Sequence, residues 1–320
     1  MMMKRLLAAW LCILLLMMGI SGAIADDVIR VFALKGPTGI GMVKLMNDND
    51  GAYVFTLGGS PDEAVAAVAS GQADIAAVPT NMAAVLYKKT NKNVQLLALN
   101  TLGVLSIVTT RNDVTTIEDL AGKTIYATGQ GAVPEYVLNY ILKAHGIADQ
   151  VTVQYKAEHS ELATLIAADK VDLAMLPEPF VTSVMLQNQN VKLAMDVTEL
   201  FQHAAELNGA SDIVLSMGCL LVNKGYAENH RDQLAAFLKA YEASVAFVSE
   251  DPAAAGIMVE AQGILPKAAI AAKAIPNCHL VCVTGEKMKT QIQPFYQLLL
   301  DANPASVGGA LPEDDFYYMP

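Results

Sequence analysis

The residues whose types could support chemistry are thinly spread along this 320-residue chain, and the densest group is Cys278-His279-Leu280-Val281-Cys282. A structural zinc ion needs about four ligands at characteristic spacings, and the sequence has no second cluster to complete such a set. If the segment is extended, its two cysteines lie too far apart for a disulfide. We predict a short strand carrying two apolar cysteines, with a disulfide or a metal as the alternative.

The histidines offer no recognisable catalytic or metal-binding pattern. They are His145, His159, His203, His230 and His279. None is spaced for a metal site or a catalytic triad, and no nucleophile–base pair is evident in the sequence. The sequence therefore predicts no catalytic residue, no metal ligand and no cofactor.

The charge balance argues against nucleic acid and anionic membranes as partners. The chain carries 32 acidic and 21 basic side chains, a net charge of −11 at pH 7. A chain this acidic lacks the excess of positive charge with which proteins bind nucleic acid. An anionic membrane surface would repel it. The hydrophobic content of 53% is enough to fill a core.

The N-terminus has the order of a secretory signal peptide. Lys4 and Arg5 precede an unbroken apolar run over residues 6–20, and Ala23-Ile24-Ala25 is a small-residue cleavage site before Asp26. We predict that residues 1–25 are removed and that the mature protein is soluble in the periplasm or another extracytoplasmic space. The alternative is an uncleaved anchor, because the apolar stretch is nearly long enough to span a bilayer.

The elements that would position any site alternate between strand and helix. Apolar segments predict strands at 28–34, 53–57, 73–78 and 94–99. Ser60 and Glu63 form a capping box at the start of one intervening helix, and Thr80 is expected to cap the next. Strands that alternate with helices predict parallel sheets covered on both faces.

The same plan recurs further along the chain, with strands predicted at 123–128, 151–155 and 171–176. When the two segments are aligned, Glu63, Ala69, Asp74, Ala76 and Pro79 fall on Glu161, Ala167, Asp172, Ala174 and Pro177. Extended apolar segments at 102–110 and 213–222 separate the units, and the rest of the chain is mostly helical. These segments are the expected connectors between two lobes.

We therefore predict an α/β fold with two lobes, each a mainly parallel sheet flanked by helices. Lobe one comprises residues 26–108 plus 216–320, and lobe two comprises residues 109–215. A chain that crosses to a second lobe and back has two hinge crossovers, and a ligand between the lobes would hold such a hinge closed.

Four short segments of this sequence resemble those of one protein family. They are Gly36-Pro37-Thr38-Gly39 after the first strand, Gly71-Gln72-Ala73-Asp74-Ile75-Ala76, Glu118-Asp119-Leu120-Ala121-Gly122-Lys123-Thr124-Ile125, and Glu178-Pro179. The chain resembles the substrate-binding proteins of the nitrate, sulfonate, taurine and hydroxymethylpyrimidine class of ABC importers, which have the type II periplasmic-binding-protein fold. The resemblance implies a cleft between two α/β lobes and closure driven by ligand.

The resemblance also implies where ligand contacts lie, because in this family they come from loops at the carboxyl ends of strands. Lobe one would supply Lys35, Gly36, Pro37, Thr38, Thr80 and Asn81. Lobe two would supply Thr128, Gly129, Gln130, Gly131, Ala132 and Glu178. Relatives often have a hydroxyl residue at the position of Ala132, so the alanine argues against an oxyanion ligand such as a sulfonate.

Each of these positions also has a purely structural interpretation. Gly129 and Gly131 would suit any tight turn between strand and helix, and Thr80 would suit a helix cap. Lys35 is equally consistent with a solvated loop charge, and Glu178 with an acid that complements a helix dipole.

The expected function is an exported solute-binding protein that is a monomer and hands a small organic molecule to an ABC permease and ATPase. The alternatives are an exported ligand sensor and an enzyme on the same scaffold, because a fold alone does not determine activity. Backbone donors at the glycine turn and the acceptor of Glu178 favour a zwitterionic or amino-heterocyclic ligand over an inorganic anion. Phe180 is the aromatic residue expected nearest the cleft.

Overall fold

The computed structural model describes residues 28–211 and 213–320, which form two β-sheets flanked by helices. The predicted signal peptide and Asp26 lie outside the described residues. Within the described part of the chain, no helix is both long enough and apolar enough to cross a membrane.

The first sheet has six strands in the order β11-β4-β10-β3-β1-β2. Their bounds are β1 Ile29–Leu34, β2 Tyr53–Gly58, β3 Ile75–Pro79, β4 Val94–Leu102, β10 Ser216–Asn223 and β11 Leu280–Val283. Strands β2 and β3 run parallel to β1, whereas β10 runs antiparallel to both β3 and β4.

The second sheet has five strands in the order β7-β6-β8-β5-β9. Their bounds are β5 Leu105–Thr109, β6 Thr124–Thr128, β7 Thr152–Lys156, β8 Leu173–Pro177 and β9 Lys192–Asp196. Strand β6 is parallel to β7 and β8, and β5 is antiparallel to β8 and β9. The predicted α/β fold of two sheets flanked by helices is confirmed: most strands of each sheet run in one direction, and β5, β10 and β11 run against it.

Thirteen α-helices flank these sheets among the described residues. They are α1 Pro37–Ile40, α2 Val43–Asn47, α3 Pro61–Ala69, α4 Thr80–Lys89, α5 Val133–Ala144, α6 His159–Ala167, α7 Phe180–Gln187, α8 Val197–Leu207, α9 Lys224–Asn229, α10 Arg231–Glu250, α11 Pro252–Ala261, α12 Ala268–Ala274 and α13 Gly285–Ala302. Short 3-10 helices occupy Ile117–Leu120, Ala148–Gln150, Ile275–Asn277, Pro304–Val307 and Asp314–Phe316.

A local sequence signal explains how one helix begins, and a second signal was misinterpreted. Ser60 is the N-cap of α3 and accepts a bond from the Glu63 backbone, but the Glu63 carboxylate accepts from the N–H of Gly59 and not from that of Ser60, so only half of the predicted capping box forms. The prediction that Thr80 caps α4 is wrong, because Pro79 is the N-cap and Thr80 is the first helical residue. The Thr80 hydroxyl is buried and pairs with Ser216 Oγ at 2.9 Å instead.

The crossover from one sheet to the other is short. Strand β4 ends at Leu102 and β5 begins at Leu105, so the change of sheet takes place at Gly103 and Val104. The predicted boundary after residue 108 therefore falls inside β5, which pairs wholly with the second sheet. A Cβ atom at Gly103 would collide with Thr198 Oγ1, so close packing explains the glycine.

The two sheets share hydrophobic packing behind the crossover. One buried cluster contains Leu99 of β4, Ile107 of β5 and Val197 of α8. In the same cluster the rings of Phe201 and Phe295 meet edge to face at 5.9 Å, which joins α8 to α13. Such contacts hold the sheets together on the side of the molecule where α8 and α13 meet.

The three cysteines among the described residues are free, and the strand predicted for Cys278 and Cys282 is half right. Cys282 lies in β11, whereas Cys278 is buried at the end of the 3-10 helix before that strand. Cys219 is buried in β10, as expected of a small apolar residue. Over residues 28–211 and 213–320, no group of three His, Cys, Asp or Glu side chains could hold a metal ion.

Candidate functional site

A cavity of about 110 Å³ lies between the two sheets. Its first-sheet wall consists of Leu34, Lys35, Gly36, Pro37, Thr38, Pro61, Val78, Pro79, Thr101, Met217 and Gly218. Its second-sheet wall consists of Val104, Leu105, Gly129, Ala132, Pro134, His159, Pro177, Glu178 and Phe180. Most of these side chains are apolar and a few are polar, which is the usual composition of a small-molecule site.

The topology explains why these residues meet. The carboxyl ends of β1 and β3 supply the loops at Leu34–Thr38 and Val78–Pro79, and the carboxyl ends of β6, β7 and β8 supply Gly129, His159 and Glu178. In open α/β sheets ligands bind beyond the carboxyl ends of the strands. Here two such sheet edges face each other across one cavity.

The loop after β1 brings its backbone close to the cavity. Gly36 has a φ of 154°, which favours glycine, and Pro37 then begins α1. The Thr38 hydroxyl lies 3.3 Å from both the nitrogen and the oxygen of Leu34, so it stays beside the end of the strand. Lys35 is exposed, which is consistent with a solvated charge at the rim of the cavity.

The turn after β6 contains two glycines with different roles. Gly129 has a φ of 77° and lines the cavity, and a Cβ atom there would lie 2.7 Å from Pro134 Cγ. Gly131 has a φ of 75° but is exposed and outside the lining. Its N–H donates to Glu135 Oε2 at 2.6 Å, so one backbone donor expected to face a ligand is already in use.

The structure brings together seven of the twelve residues predicted to contact ligand. The residues that line the cavity are Lys35, Gly36, Pro37, Thr38, Gly129, Ala132 and Glu178. The other five, which lie outside the lining, are Thr80, Asn81, Thr128, Gln130 and Gly131. Several of these five support the wall indirectly, because they bond to neighbouring elements.

Two side-chain amides join elements of the first sheet to loops of the second. Asn81 Nδ2 on α4 donates to the Gly131 carbonyl at 3.2 Å. Asn277 Nδ2, in the 3-10 helix before β11, donates to Glu178 Oε1 at 3.4 Å. Both bonds join first-sheet elements to loops of the second sheet, so they would break if the cavity opened widely.

Glu178 is a buried carboxylate, only 5% exposed. It accepts bonds from Thr182 N at 3.1 Å and Thr182 Oγ1 at 2.8 Å, which satisfies the first turn of α7. Burial raises the pKa of this carboxyl above its usual value, although the bonds from Thr182 and Asn277 act in the opposite direction. Glu178 therefore accepts bonds from the first turn of α7 and also lines the cavity.

The sequence analysis missed His159, which lines the cavity at the start of α6. Its Nδ1 lies 2.6 Å from Thr128 Oγ1, and its ring centroid is 5.5 Å from that of Phe180. Burial lowers the pKa of His159 to about 4, so the ring is neutral at neutral pH. The sequence could have indicated this residue, because His159 follows the predicted strand at 151–155, and ligand contacts were expected at strand ends.

The Thr128–His159 pair resembles a hydroxyl beside a base, but the arrangement does not suit catalysis. Thr128 is 2% exposed and outside the cavity lining. A ring with a pKa of about 4 is a weak base at neutral pH, since an effective general base has a pKa near the working pH. The pair instead fixes the orientation of the imidazole at the cavity wall.

Comparison with known proteins agrees with this arrangement. No curated protein matches the sequence. An ABC transporter structure from Parabacteroides distasonis is 24% identical and superposes with a TM-score of 0.76 over 92% of this chain and 99% of the other. The periplasmic aliphatic sulphonate binding protein SsuA from Escherichia coli is 17% identical, with a TM-score of 0.70 over 92% and 93% of the two chains.

A third structure is the alkanesulfonate-binding protein SsuA from Xanthomonas axonopodis pv. citri bound to MOPS. It is 14% identical, with a TM-score of 0.66 over 91% of this chain and 96% of the other. At these identities the likeness shows the fold alone. The family model described as NMT1/THI5 like matches residues 55–255, more than half of the chain. The chain therefore belongs to the NMT1/THI5-like family and has the two-sheet fold of the periplasmic binding proteins.

Proposed function

We propose that this protein is an extracytoplasmic solute-binding protein that captures a small nitrogen- or sulfur-containing organic molecule and delivers it to an ABC permease and ATPase. The observation that carries the proposal is the cavity whose walls come from the strand ends of both sheets. A ligand held there contacts both halves at once. Its binding free energy therefore favours the closed form.

The domain organisation follows from the same observation. Lobe one comprises the first sheet with its helices, and lobe two comprises the second sheet, with the first crossover at Gly103 and Val104. The bridging bonds of Asn81 and Asn277 form only when the lobes are close. A permease that recognises the closed form would discriminate loaded from empty protein.

The role is binding without turnover. The ionisable side chains on the cavity wall are Lys35, His159 and Glu178, within residues 28–211 and 213–320. Lys35 is exposed, His159 is neutral at neutral pH, and Glu178 already accepts bonds from Thr182. These groups recognise and orient a ligand more readily than they transfer its protons.

The test is a thermal-shift screen of the purified protein against amines, sulfonates, carboxylates and heterocycles. A ligand at ~100 times its dissociation constant adds about 2.7 kcal/mol to the free energy of unfolding. Small-angle scattering should show a monomer that becomes more compact when bound. Uptake of the same ligand into vesicles that contain the permease and ATPase should require this protein. Turnover of the ligand by the protein alone would contradict the proposal.

A further inference from the structure

The imidazole of His159 presents one of its two ring nitrogens to the cavity. Its Nδ1 is bonded to Thr128 Oγ1, and Thr128 is 2% exposed and outside the cavity lining. The Nδ1 edge of the ring is therefore turned into the wall, and Nε2, on the far side of the ring, faces the cavity that His159 lines. Among the described residues Nε2 has no hydrogen-bond partner, and it is not one of the unpaired polar atoms that are sealed from solvent.

The other polar side chains in the lining are already bonded, sealed from solvent or placed at the rim. The Thr38 hydroxyl bonds within its own loop, and Thr101 Oγ1 is buried out of reach. Glu178 accepts three hydrogen bonds from protein groups, and Lys35 is exposed at the rim. His159 Nε2 is therefore the polar side-chain atom that the inner wall, as far as the structure describes it, leaves open to a ligand.

The surface around this nitrogen is apolar and rigid. The ring centroid of Phe180 lies 5.5 Å from that of His159, and the two rings are tilted by 41°. Prolines have no N–H and a restricted backbone, and five of them line the cavity, namely Pro37, Pro61, Pro79, Pro134 and Pro177. Such walls suit an apolar body that carries few polar groups, because each polar group of a buried ligand needs a partner.

The charge of the wall argues against an anionic group beside His159. Burial lowers the pKa of His159 to about 4, so the imidazole is neutral at neutral pH. No arginine lines the cavity within residues 28–211 and 213–320. An anion placed against Nε2 would lose its hydration without a buried cation to compensate for it. An uncharged hydroxyl both donates and accepts, so it can bond to Nε2 in either tautomer of the ring.

We propose that His159 is a specificity-determining ligand contact, whose Nε2 bonds to an uncharged hydroxyl-type group on a mostly apolar part of the ligand. Thr128 is the positioning residue, because its hydroxyl holds the edge of the ring that faces away from the ligand. The inference rests on the proposed function and specifies the chemistry of the ligand at the second-sheet wall. It gives Thr128 an indirect role in binding, although this residue is outside the lining.

The test compares three probes that share one ring. Phenol carries a hydroxyl and is uncharged at neutral pH, toluene has a methyl group in its place, and benzenesulfonate carries a permanent negative charge. We expect phenol to bind saturably to the purified protein in NMR titrations and benzenesulfonate to bind more weakly than phenol. Phenol should also shift the nitrogen resonance of His159 Nε2 more than that of Nδ1.

The variant His159→Phe removes Nε2 and keeps a planar ring. It should lower the affinity for phenol relative to toluene by about threefold to tenfold, because toluene makes no hydrogen bond. Thr128→Val removes the orienting hydroxyl at nearly constant shape and should lower the same ratio, whereas Thr128→Ser keeps a hydroxyl and should preserve it. A purely structural role of either residue would change the affinities for both probes alike.

Three results would overturn the inference. They are an unchanged phenol-to-toluene ratio in His159→Phe, no binding of phenol by the wild-type protein, and tighter binding of benzenesulfonate than of phenol. If His159→Phe does not fold, the ratio measured for Thr128→Val against Thr128→Ser decides the point. The proposed function fails separately, when no member of the broad screen binds or when transport proceeds without this protein.

Discussion

The side-chain amide of Asn81 donates to the backbone carbonyl of Gly131 at 3.2 Å, so α4 beside the first sheet is tied to the turn after β6 in the second. The same nitrogen also donates to the carbonyl of Ser306 at 3.2 Å. One amide thus joins first-sheet elements to the glycine turn of the second sheet.

The variant Asn81→Leu should weaken closure, because it removes the donor nitrogen at nearly constant volume. A neutral hydrogen bond contributes roughly 0.5–1.5 kcal/mol, so ligand affinity should fall by up to about tenfold. Faster ligand dissociation in stopped-flow measurements and a larger scattering radius in the bound state should accompany the change. An unchanged dissociation rate would show that the contact does not contribute to closure.

The acid sensitivity of folding should depend on His159. Its folded pKa of about 4 lies below the ordinary value of 6.5, so the unfolded chain binds a proton between these values and the folded protein does not. The stabilising contribution is therefore present above pH 6.5 and is lost as the pH falls toward 4. The loss is at most about 3 kcal/mol, and less because the ring is half-buried.

Urea denaturation between neutral pH and pH 4 measures this contribution. The variant His159→Gln should lose less stability over that range than the wild-type protein does. His203→Gln is the control, since His203 is exposed on α8. Equal pH profiles for wild type and His159→Gln would contradict the assignment.

Glu178→Gln tests whether the buried carboxylate contacts ligand. Bonds to a charged group contribute roughly 1.5–3 kcal/mol, so a real contact predicts binding weaker by about tenfold to a hundredfold. Glu178 also holds the first turn of α7 through Thr182. Thr182→Val, which removes only the internal hydroxyl bond, should lower stability without a comparable loss of affinity. Wild-type affinity of Glu178→Gln would assign the carboxylate to the helix terminus alone.

Gly218→Ala should disturb the wall of the cavity, because the added Cβ would lie 2.6 Å from Asn100 Oδ1 and 3.3 Å from Thr38 Cγ2. We expect ligand binding to weaken, with a folded protein by circular dichroism. Gly59→Ala is the matched control, since the nearest atom to its added Cβ is Glu158 Oε2 at 3.9 Å. Calorimetric titration of both variants with a ligand found in the thermal-shift screen decides the point, and equal binding would show that this part of the wall does not contact ligand.

The sequence predicted most of the local structure because its signals are local. The N-cap at Ser60 and the alternation of strands and helices depend on neighbouring residues, and both were found. The antiparallel strands were missed, since the direction of β5 and β10 is set by how the chain crosses between sheets. The hydrophobic pattern of a strand does not indicate its direction, so the sequences of β5 and β10 could not predict it.

The site was predictable only where it follows strand ends that the sequence revealed. Gly129 and Glu178 follow recognised strands and line the cavity, as does the overlooked His159. Thr101 and Gly218 contribute from within strands, where only the register of β4 against β10 brings them together. The bulge at Asn100 that shifts this register cannot be inferred from residue types.

Two buried threonines in consecutive strands should respond in opposite ways to the same substitution. Thr109 Oγ1 at the end of β5 donates to the Asp172 carbonyl at 2.7 Å and accepts from Arg111 N at 3.0 Å, whereas Thr101 Oγ1 is unpaired. Thr109→Val takes the side-chain acceptor from the Arg111 N–H, while the Asp172 carbonyl keeps its bond from Thr110 N, so it should lower the free energy of unfolding by about 1 kcal/mol. Thr101→Val removes an unsatisfied hydroxyl at constant volume, so stability should hold or increase. Urea unfolding of both variants measures the two effects, and a destabilised Thr101→Val would show that its hydroxyl supports the fold.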